Sequence, residues 1–234
     1  MKKVLIVSAT TFEIQPFLEF LKQSAAQKYN PLFGQNGYEI DVIVTGVGIA
    51  NTALEVGKTL TRKKYDWAIN VGVAGSFNRD ILRGDVVQVM SEQYGDLGVE
   101  EADGKFTDMF ELGLIEKNTK PFYQDKLVNN KPLTLPQVKR VKGLTVNKVH
   151  GTTDSIEAIL KKYQVDIETM EGAAFFQACL TVDQTTPSDK GISFAEIRAI
   201  SNYVEPRNRD NWKMKEAITN LNTILIDLFE KRAI

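Results

Sequence analysis

The sequence holds one cysteine and one histidine in 234 residues. Cys179 has no intrachain partner for a disulfide, and a cysteine-based metal site is excluded. It lies in the apolar helical stretch Ala173 to Leu180, where a buried structural thiol is expected rather than a nucleophile. A lone His150 argues against the usual zinc sites and against histidine-dependent proton transfer. Carboxylates and amides must then handle any protons. An excess of one charge sign is also missing. The net charge is −1, so no overall field draws the chain to nucleic acid or an anionic membrane. Arg62-Lys63-Lys64 and Lys161-Lys162 read as solvated helix faces. No apolar run is long enough to span a bilayer. The run Val4 to Val7 is too short for the core of a signal peptide, and Thr10, Thr11 and Glu13 follow at once. A cytoplasmic protein is expected, without metal or cofactor, that binds neither nucleic acid nor membrane.

What is present suits a folded α/β protein. Hydrophobic residues make up 43% and charged residues 25%, and the length fits one domain over residues 1–234. Strands are expected at Val4 to Ser8, Tyr38 to Thr45, Trp67 to Val71, Asp85 to Met90, Leu144 to Val149, Val165 to Met170 and Ile192 to Ser201. Apolar residues at helical spacing predict helices over Glu13 to Gln23, Ala50 to Arg62, Gly172 to Leu180 and Trp212 to Lys231. Gly72-Val73-Ala74-Gly75-Ser76 reads as a small-residue turn. Residues 91–138, with Pro121, Pro132, Pro136 and the apolar patch Met109 to Leu114, read as a loop-rich excursion with room for one helix. Strands alternating with helices imply a sheet covered on both faces.

Two glycine-rich turns invite a ligand. Thr45-Gly46-Val47-Gly48 lies between a strand and a helix, as in a dinucleotide fingerprint. The third small residue would fall at Asn51, and no acid ends the next strand at Val71, which weighs against that reading. Gly72-Val73-Ala74-Gly75 fits either tight packing or close approach of a flat ligand to the main chain. Ligands in open α/β sheets lie beyond the carboxyl ends of strands. Glu13, Glu171 and Asn202 follow expected strands there. Each alone fits a surface or helix-capping role equally well. Glu171 stands out because Gly172-Ala173-Ala174 allows close packing beside it.

Thr169-Met170-Glu171-Gly172-Ala173-Ala174, followed by Arg198-Ala199-Ile200-Ser201-Asn202, resembles the purine nucleoside phosphorylase and nucleosidase superfamily. Asn70 to Gly75 and Gly84-Asp85-Val86-Val87 match it too, and the order holds from Glu13 to the final helix. Within the superfamily the chain is most similar to the futalosine hydrolase family. Asp96 to Glu100, Glu111 to Leu114 and Ser201 to Asp210 carry that similarity. The resemblance implies a three-layer αβα sandwich around a twisted mixed sheet, and a homo-oligomer acting on a small-molecule nucleoside.

The resemblance also implies roles. Glu171, with Met170 beside it, would hold the ribose hydroxyls and set negative charge near an oxocarbenium-like sugar. Glu13 would position and deprotonate an attacking water, which favours hydrolysis over phosphorolysis. Val73, Ala74 and Gly75 would lie against the nucleoside. Methylthioadenosine/S-adenosylhomocysteine nucleosidases carry Asp where this chain has Asn202. An amide cannot protonate N7, but its NH2 group can donate to N7 or O6. Asn202 therefore suits hypoxanthine and disfavours adenine. The rival readings are an adenine-nucleoside nucleosidase, opposed by Asn202, and a 6-oxopurine phosphorylase, disfavoured by Glu13. A non-catalytic nucleoside-binding protein would require a damaged site. Arg207 and Arg209 are candidates for a substrate carboxylate, or are simply exposed loop arginines.

Overall fold

Four consecutive apolar residues, Val4 to Val7, are fully buried in strand β1 (Lys2–Ser8). A strand buried on both faces must lie inside a covered sheet. In the computed structural model, which describes residues 1–26, 37–185 and 192–234, β1 runs parallel between β2 (Tyr38–Val44) and β3 (Trp67–Ser76). Successive side chains of a strand point to opposite faces. Val4 and Ile6 accordingly join one core, and Leu5 and Val7 another. Helices α1 (Thr11–Ala26) and α5 (Met214–Glu230) cover the first through Ile14, Phe17, Leu221, Leu225 and Phe229. Helices α2 (Ile49–Arg62) and α4 (Gly172–Thr185) cover the second through Val56, Leu60, Phe175 and Phe176. The expected three-layer αβα arrangement around a mixed sheet is therefore present.

Beyond β1 the sheet curls. β3 pairs on its far edge with β10 (Ser193–Tyr203) in parallel, and β10 pairs antiparallel with β4 (Val86–Tyr94). From β4 the order runs through β8 (Lys139–Thr145) to β9 (Ile167–Thr169), whose residues Glu168 and Ile167 return to Gly75 and Ser76 at the end of β3. These five strands thus close on themselves, which removes their edges and leaves an interior narrow enough for side chains alone. Short β5 (Gly98–Glu100) and β6 (Phe106–Asp108) form a separate hairpin, β7 (Leu127–Val128) extends β4, and α3 (Thr153–Lys162) packs Ile159 against Leu144 and Val146. No helix among the described residues is long and apolar enough to cross a membrane.

Several expectations need correction. The run Gly72 to Ser76 is no turn but the second half of β3, and its glycines have no left-handed backbone. The strand expected at Leu144 to Val149 lies earlier, at Lys139–Thr145, where exposed Lys139, Arg140 and Lys142 flank buried Val141 and Leu144. β10 continues through Tyr203 after a register shift between Ile200 and Asn202, so Asn202 sits within the strand rather than beyond it. No helix forms around Met109 to Leu114. Asp108 caps the N–H groups of Phe110 and Glu111, and Gly113 at φ 69° ends the turn. Helix α3, of which the sequence shows only the helix face at Lys161-Lys162, is capped by Thr152, which accepts from the Ser155 N–H.

One polar contact ties the two helices of the first layer. Asn222 on α5 is buried; its Nδ2 donates to the Glu13 carbonyl, and its Oδ1 accepts from the Phe17 N–H. Those are the two groups that a regular turn of α1 would join to each other. Asn222→Ala should lower the free energy of unfolding by about 1–3 kcal/mol in urea titration, since both groups lose a buried partner. Unchanged stability would contradict this role.

Candidate active site

Glu13 stands in the first turn of α1. Its Oε2 accepts from the Thr10 N–H at 3.1 Å and the Thr10 hydroxyl at 2.8 Å, the first of which is the acid's half of a Thr-x-x-Glu capping box. Its Oε1 accepts from the Val73 N–H of β3 at 3.0 Å. The carboxylate is thereby fixed to both the helix start and the sheet. It is 7% exposed.

Glu171 follows β9 and is also buried. Its Oε1 accepts from the Gly48 N–H at 3.0 Å, at the head of α2, where unpaired N–H groups and the helix dipole favour an anion. Gly46 (φ 87°) and Gly48 (φ 97°) adopt backbone conformations that other residues avoid, and this exposes the Gly48 N–H. Thr45-Gly46-Val47-Gly48 thus serves Glu171. On the other side, Glu171 Oε2 lies 3.7 Å from Arg198 Nη1.

Arg198 links these acids. It is 1% exposed, pointing into the closed part of the sheet. Nε donates to Glu196 Oε1 at 2.7 Å, and Nη2 to Asn70 Oδ1 at 2.5 Å. Burial pulls its proton affinity down, yet Glu196, Glu171 and Glu13 together hold it above the ordinary arginine value. Space for this cluster comes from glycine. A Cβ on Gly72 would overlap Arg198 Nη1 and approach Glu13 Oε1 to 2.8 Å, and one on Gly172 would overlap Glu92 and reach Glu196 Oε1 at 2.7 Å. Gly143 leaves room for Glu92 in the same way.

Behind Arg198, Glu92 and Glu196 are both fully buried. Thr145 donates to Glu92 Oε2, while Glu92 Oε1 and Glu196 Oε2 have no donor. Burial, reinforced by the neighbouring Glu196 charge, lifts the Glu92 carboxyl well above its ordinary value. Burial also lifts Glu196, although Arg198 opposes the shift. A proton held by one carboxyl gives the pair the donor it lacks.

A pocket opens at the C-terminal end of β3. Glu168 of β9, Gly75 of β3 and Asn202 of β10 are register partners across three adjacent strands, and all three line one pocket. Asn202 Oδ1 accepts from the Ser201 hydroxyl at 2.8 Å, and one Nδ2 hydrogen goes to the Tyr203 carbonyl. Nδ2 lies beside Gly75, 3.3 Å from where a Cβ would be. The second hydrogen has no partner among the described residues.

The residues expected from the sequence thus separate into two groups. Glu13, Glu171 and the Val73 N–H surround Arg198, while Gly75 and Asn202 line the pocket. Ala74 turns its side chain into the second core, and only its carbonyl faces this side, accepting from Ser201. Met170 is half-buried in the bend before Glu171. Arg207 and Arg209 are both exposed with their guanidiniums over Trp212, and Arg207 also lines the pocket beside Asn202. Sequence reasoning gave Arg198, Glu196 and Glu92 no role. A charge among Ala195, Ile197, Ala199 and Ile200 is the signal for Arg198, because unpaired arginine is almost never buried. No group of three His, Cys, Asp or Glu among the described residues is placed to hold a metal ion.

Two outcomes follow from the buried acids. Gly172→Ala should destabilise the fold by about 1–3 kcal/mol, because the rigid carboxylates cannot yield to the methyl group. The raised Glu92 value means its folded state resists ionisation. Stability present below the unfolded value near 4.5 is lost as pH rises through the folded value. Glu92→Gln cannot ionise, so its melting temperature should gain on the wild type between pH 5 and pH 8. A constant difference across that range would contradict the assignment.

Residues 3–230 match the family model described as the phosphorylase superfamily. The chain is 29% identical over 189 residues to the futalosine hydrolase of Thermus thermophilus, covering 80% of each chain. It is 28% identical over 207 residues to the 5'-methylthioadenosine/S-adenosylhomocysteine nucleosidase of Colwellia psychrerythraea, covering 82% of this chain and 79% of that one. Its fold is like that of the futalosine hydrolase of Helicobacter pylori, with a TM-score of 0.74 at 15% identity over 99% of this chain and 100% of that one. With the Glu13, Glu171 and Arg198 cluster on one side of β3 and the Asn202 pocket at its end, the chain belongs to the phosphorylase superfamily.

Proposed function

We propose that this chain hydrolyses the N-glycosidic bond of futalosine, releasing hypoxanthine and dehypoxanthinyl futalosine. The observation that carries the choice of base is Asn202, whose free N–H lies over Gly75. An amide there donates to N7 or O6 of a 6-oxopurine, and it has no proton to give to adenine N7. The departing hypoxanthine leaves with its negative charge drawn onto that hydrogen bond. Cleavage builds positive charge on the sugar, and Glu171, already held by Gly48, accepts the ribose hydroxyls beside it. Glu13 retains lone pairs beyond its bonds to Thr10 and Val73, enough to take a proton from a water. Arg198 sets its positive charge beside both acids, with Nη1 3.7 Å from Glu171 Oε2.

Similarity of comparable strength to methylthioadenosine/S-adenosylhomocysteine nucleosidases supports a second reading, cleavage of adenine nucleosides. Asn202 opposes it. On the first reading the enzyme works in the cytoplasm, in menaquinone formation, without metal or cofactor. It would act as a homo-oligomer, for which exposed Leu97, Val99, Leu112 and Leu114 offer apolar surface.

Purified protein incubated with futalosine, methylthioadenosine and inosine, each with and without phosphate, should release hypoxanthine from futalosine fastest and without phosphate. Faster adenine release from methylthioadenosine would overturn the proposal. Asn202→Asp should lower futalosine turnover and raise activity on adenine nucleosides by about one to two decades in the ratio of kcat/KM, the range for one mismatched buried polar group. Glu13→Gln should reduce kcat about 10²- to 10⁴-fold, the usual contribution of a general base. A loss seen only in KM would remove Glu13 from the chemical step.

A further inference from the structure

His150 is the only histidine in the chain, and the reaction described above gives it no part. It is nonetheless held with care. Its ring Nδ1 contacts Glu168 Oε2, and its backbone N–H donates to the same carboxylate at 3.1 Å. Because a carboxylate has no proton to offer, Nδ1 is the donor of that pair. Both residues line the pocket that contains Asn202, and the Glu168 side chain is only 3% exposed.

The register places this pair. Glu168 is opposite Gly75, and Gly75 is opposite Asn202, so two polar walls flank a position without a side chain of its own. Neighbouring strands lie about 4.8 Å apart, which separates the backbones of Glu168 and Asn202 by roughly 10 Å across β3. Val204 and Asn202 pack against this glycine, since a Cβ on Gly75 would come within 2.9 Å of Val204 Cγ2 and 3.3 Å of Asn202 Nδ2.

The two walls have opposite hydrogen-bonding character. Asn202 presents a donor. Glu168 presents carboxylate oxygens, and its bonds to His150 leave lone pairs unused. A 6-oxopurine carries a donor at N1–H and acceptors at O6 and N7. Adenine carries an acceptor lone pair at N1, which would face the carboxylate with no hydrogen between them. A buried acceptor set against an acceptor loses the hydrogen bond and retains the cost of desolvation.

We propose that Glu168, aimed by His150, is a second specificity determinant of the site, its carboxylate accepting N1–H of a 6-oxopurine that meets Asn202 at its other edge. Glu168 touches the base, and His150 is a positioning residue. This rests on the reading of the pocket as a purine site, and it deepens that reading by assigning the edge that Asn202 does not reach.

The test measures binding of free hypoxanthine, 1-methylhypoxanthine and adenine by calorimetry, to wild type and to Glu168→Gln, His150→Ala and His150→Asn. Wild type should bind hypoxanthine best and 1-methylhypoxanthine at least tenfold more weakly, because the methyl group replaces the N1 hydrogen. Glu168→Gln, which can donate to adenine N1, should lower the hypoxanthine-to-adenine ratio about ten- to a hundredfold. His150→Ala should lower that ratio in part, and His150→Asn, whose amide can donate to Glu168, should restore it. Wild type that prefers adenine would overturn the 6-oxopurine reading itself. Wild type that prefers hypoxanthine but tolerates the N1 methyl group, or a Glu168→Gln variant with an unchanged ratio, would overturn only the role of Glu168. An unchanged ratio in His150→Ala would remove His150 from base selection.

Discussion

A guanidinium almost wholly removed from water must be ringed by acceptors, and much of this fold follows from meeting that demand for Arg198. Glu196 and Asn70 bind it directly, Glu171 lies 3.7 Å away, and Glu13 adds its charge from α1. Such a group of long side chains fits inside a curled sheet only where the backbone gives way. Gly72, Gly143 and Gly172 supply that room on three different elements. A single added methyl group at any of them meets a side-chain atom of Arg198 or Glu92. The glycine-rich character of the chain near its site is therefore a demand for volume at these positions, and a demand for unusual backbone only at Gly46 and Gly48.

The same arrangement divides the proposed work between separate parts of the molecule. Glu13 is positioned by a helix cap and by Asn222 behind it, while Glu171 is positioned by the start of α2. Neither depends on the other for its orientation, and Arg198 stands between them. The pocket for a base is set by strand register at the far end of β3, through Glu168, Gly75 and Asn202. Sugar chemistry and base choice can then vary independently. That independence is consistent with a chain of comparable similarity to futalosine hydrolases and to methylthioadenosine/S-adenosylhomocysteine nucleosidases.

Much of this was legible before the structure, and the omissions have physical reasons. β1 was plain because both of its faces are buried, so its sequence is continuously apolar. β8 was misplaced because Lys139, Arg140 and Lys142 alternate with core residues on a half-exposed strand. The stretch from Gly72 to Ser76 was read as a turn because small residues usually signal one; here they make room for side chains from other elements. Glu171 and Asn202 were visible through the local motifs around them. The pairing of His150 with Glu168 was not, since 18 residues separate them and only the return of β9 to β3 brings that strand to the pocket. Glu92 and Glu196 were hidden for a similar reason. Nothing local distinguishes a buried acid from a surface one until its neighbours are known.

The central claim is that Glu13 activates water for attack on the sugar while the base departs intact. Turnover of futalosine in ¹⁸O-labelled water, followed by mass spectrometry of both products, tests it most directly. The account predicts one labelled oxygen in the sugar product, at the carbon that held the base, and none in hypoxanthine. An unlabelled sugar product, or a sugar phosphate formed only when phosphate is added, would contradict it.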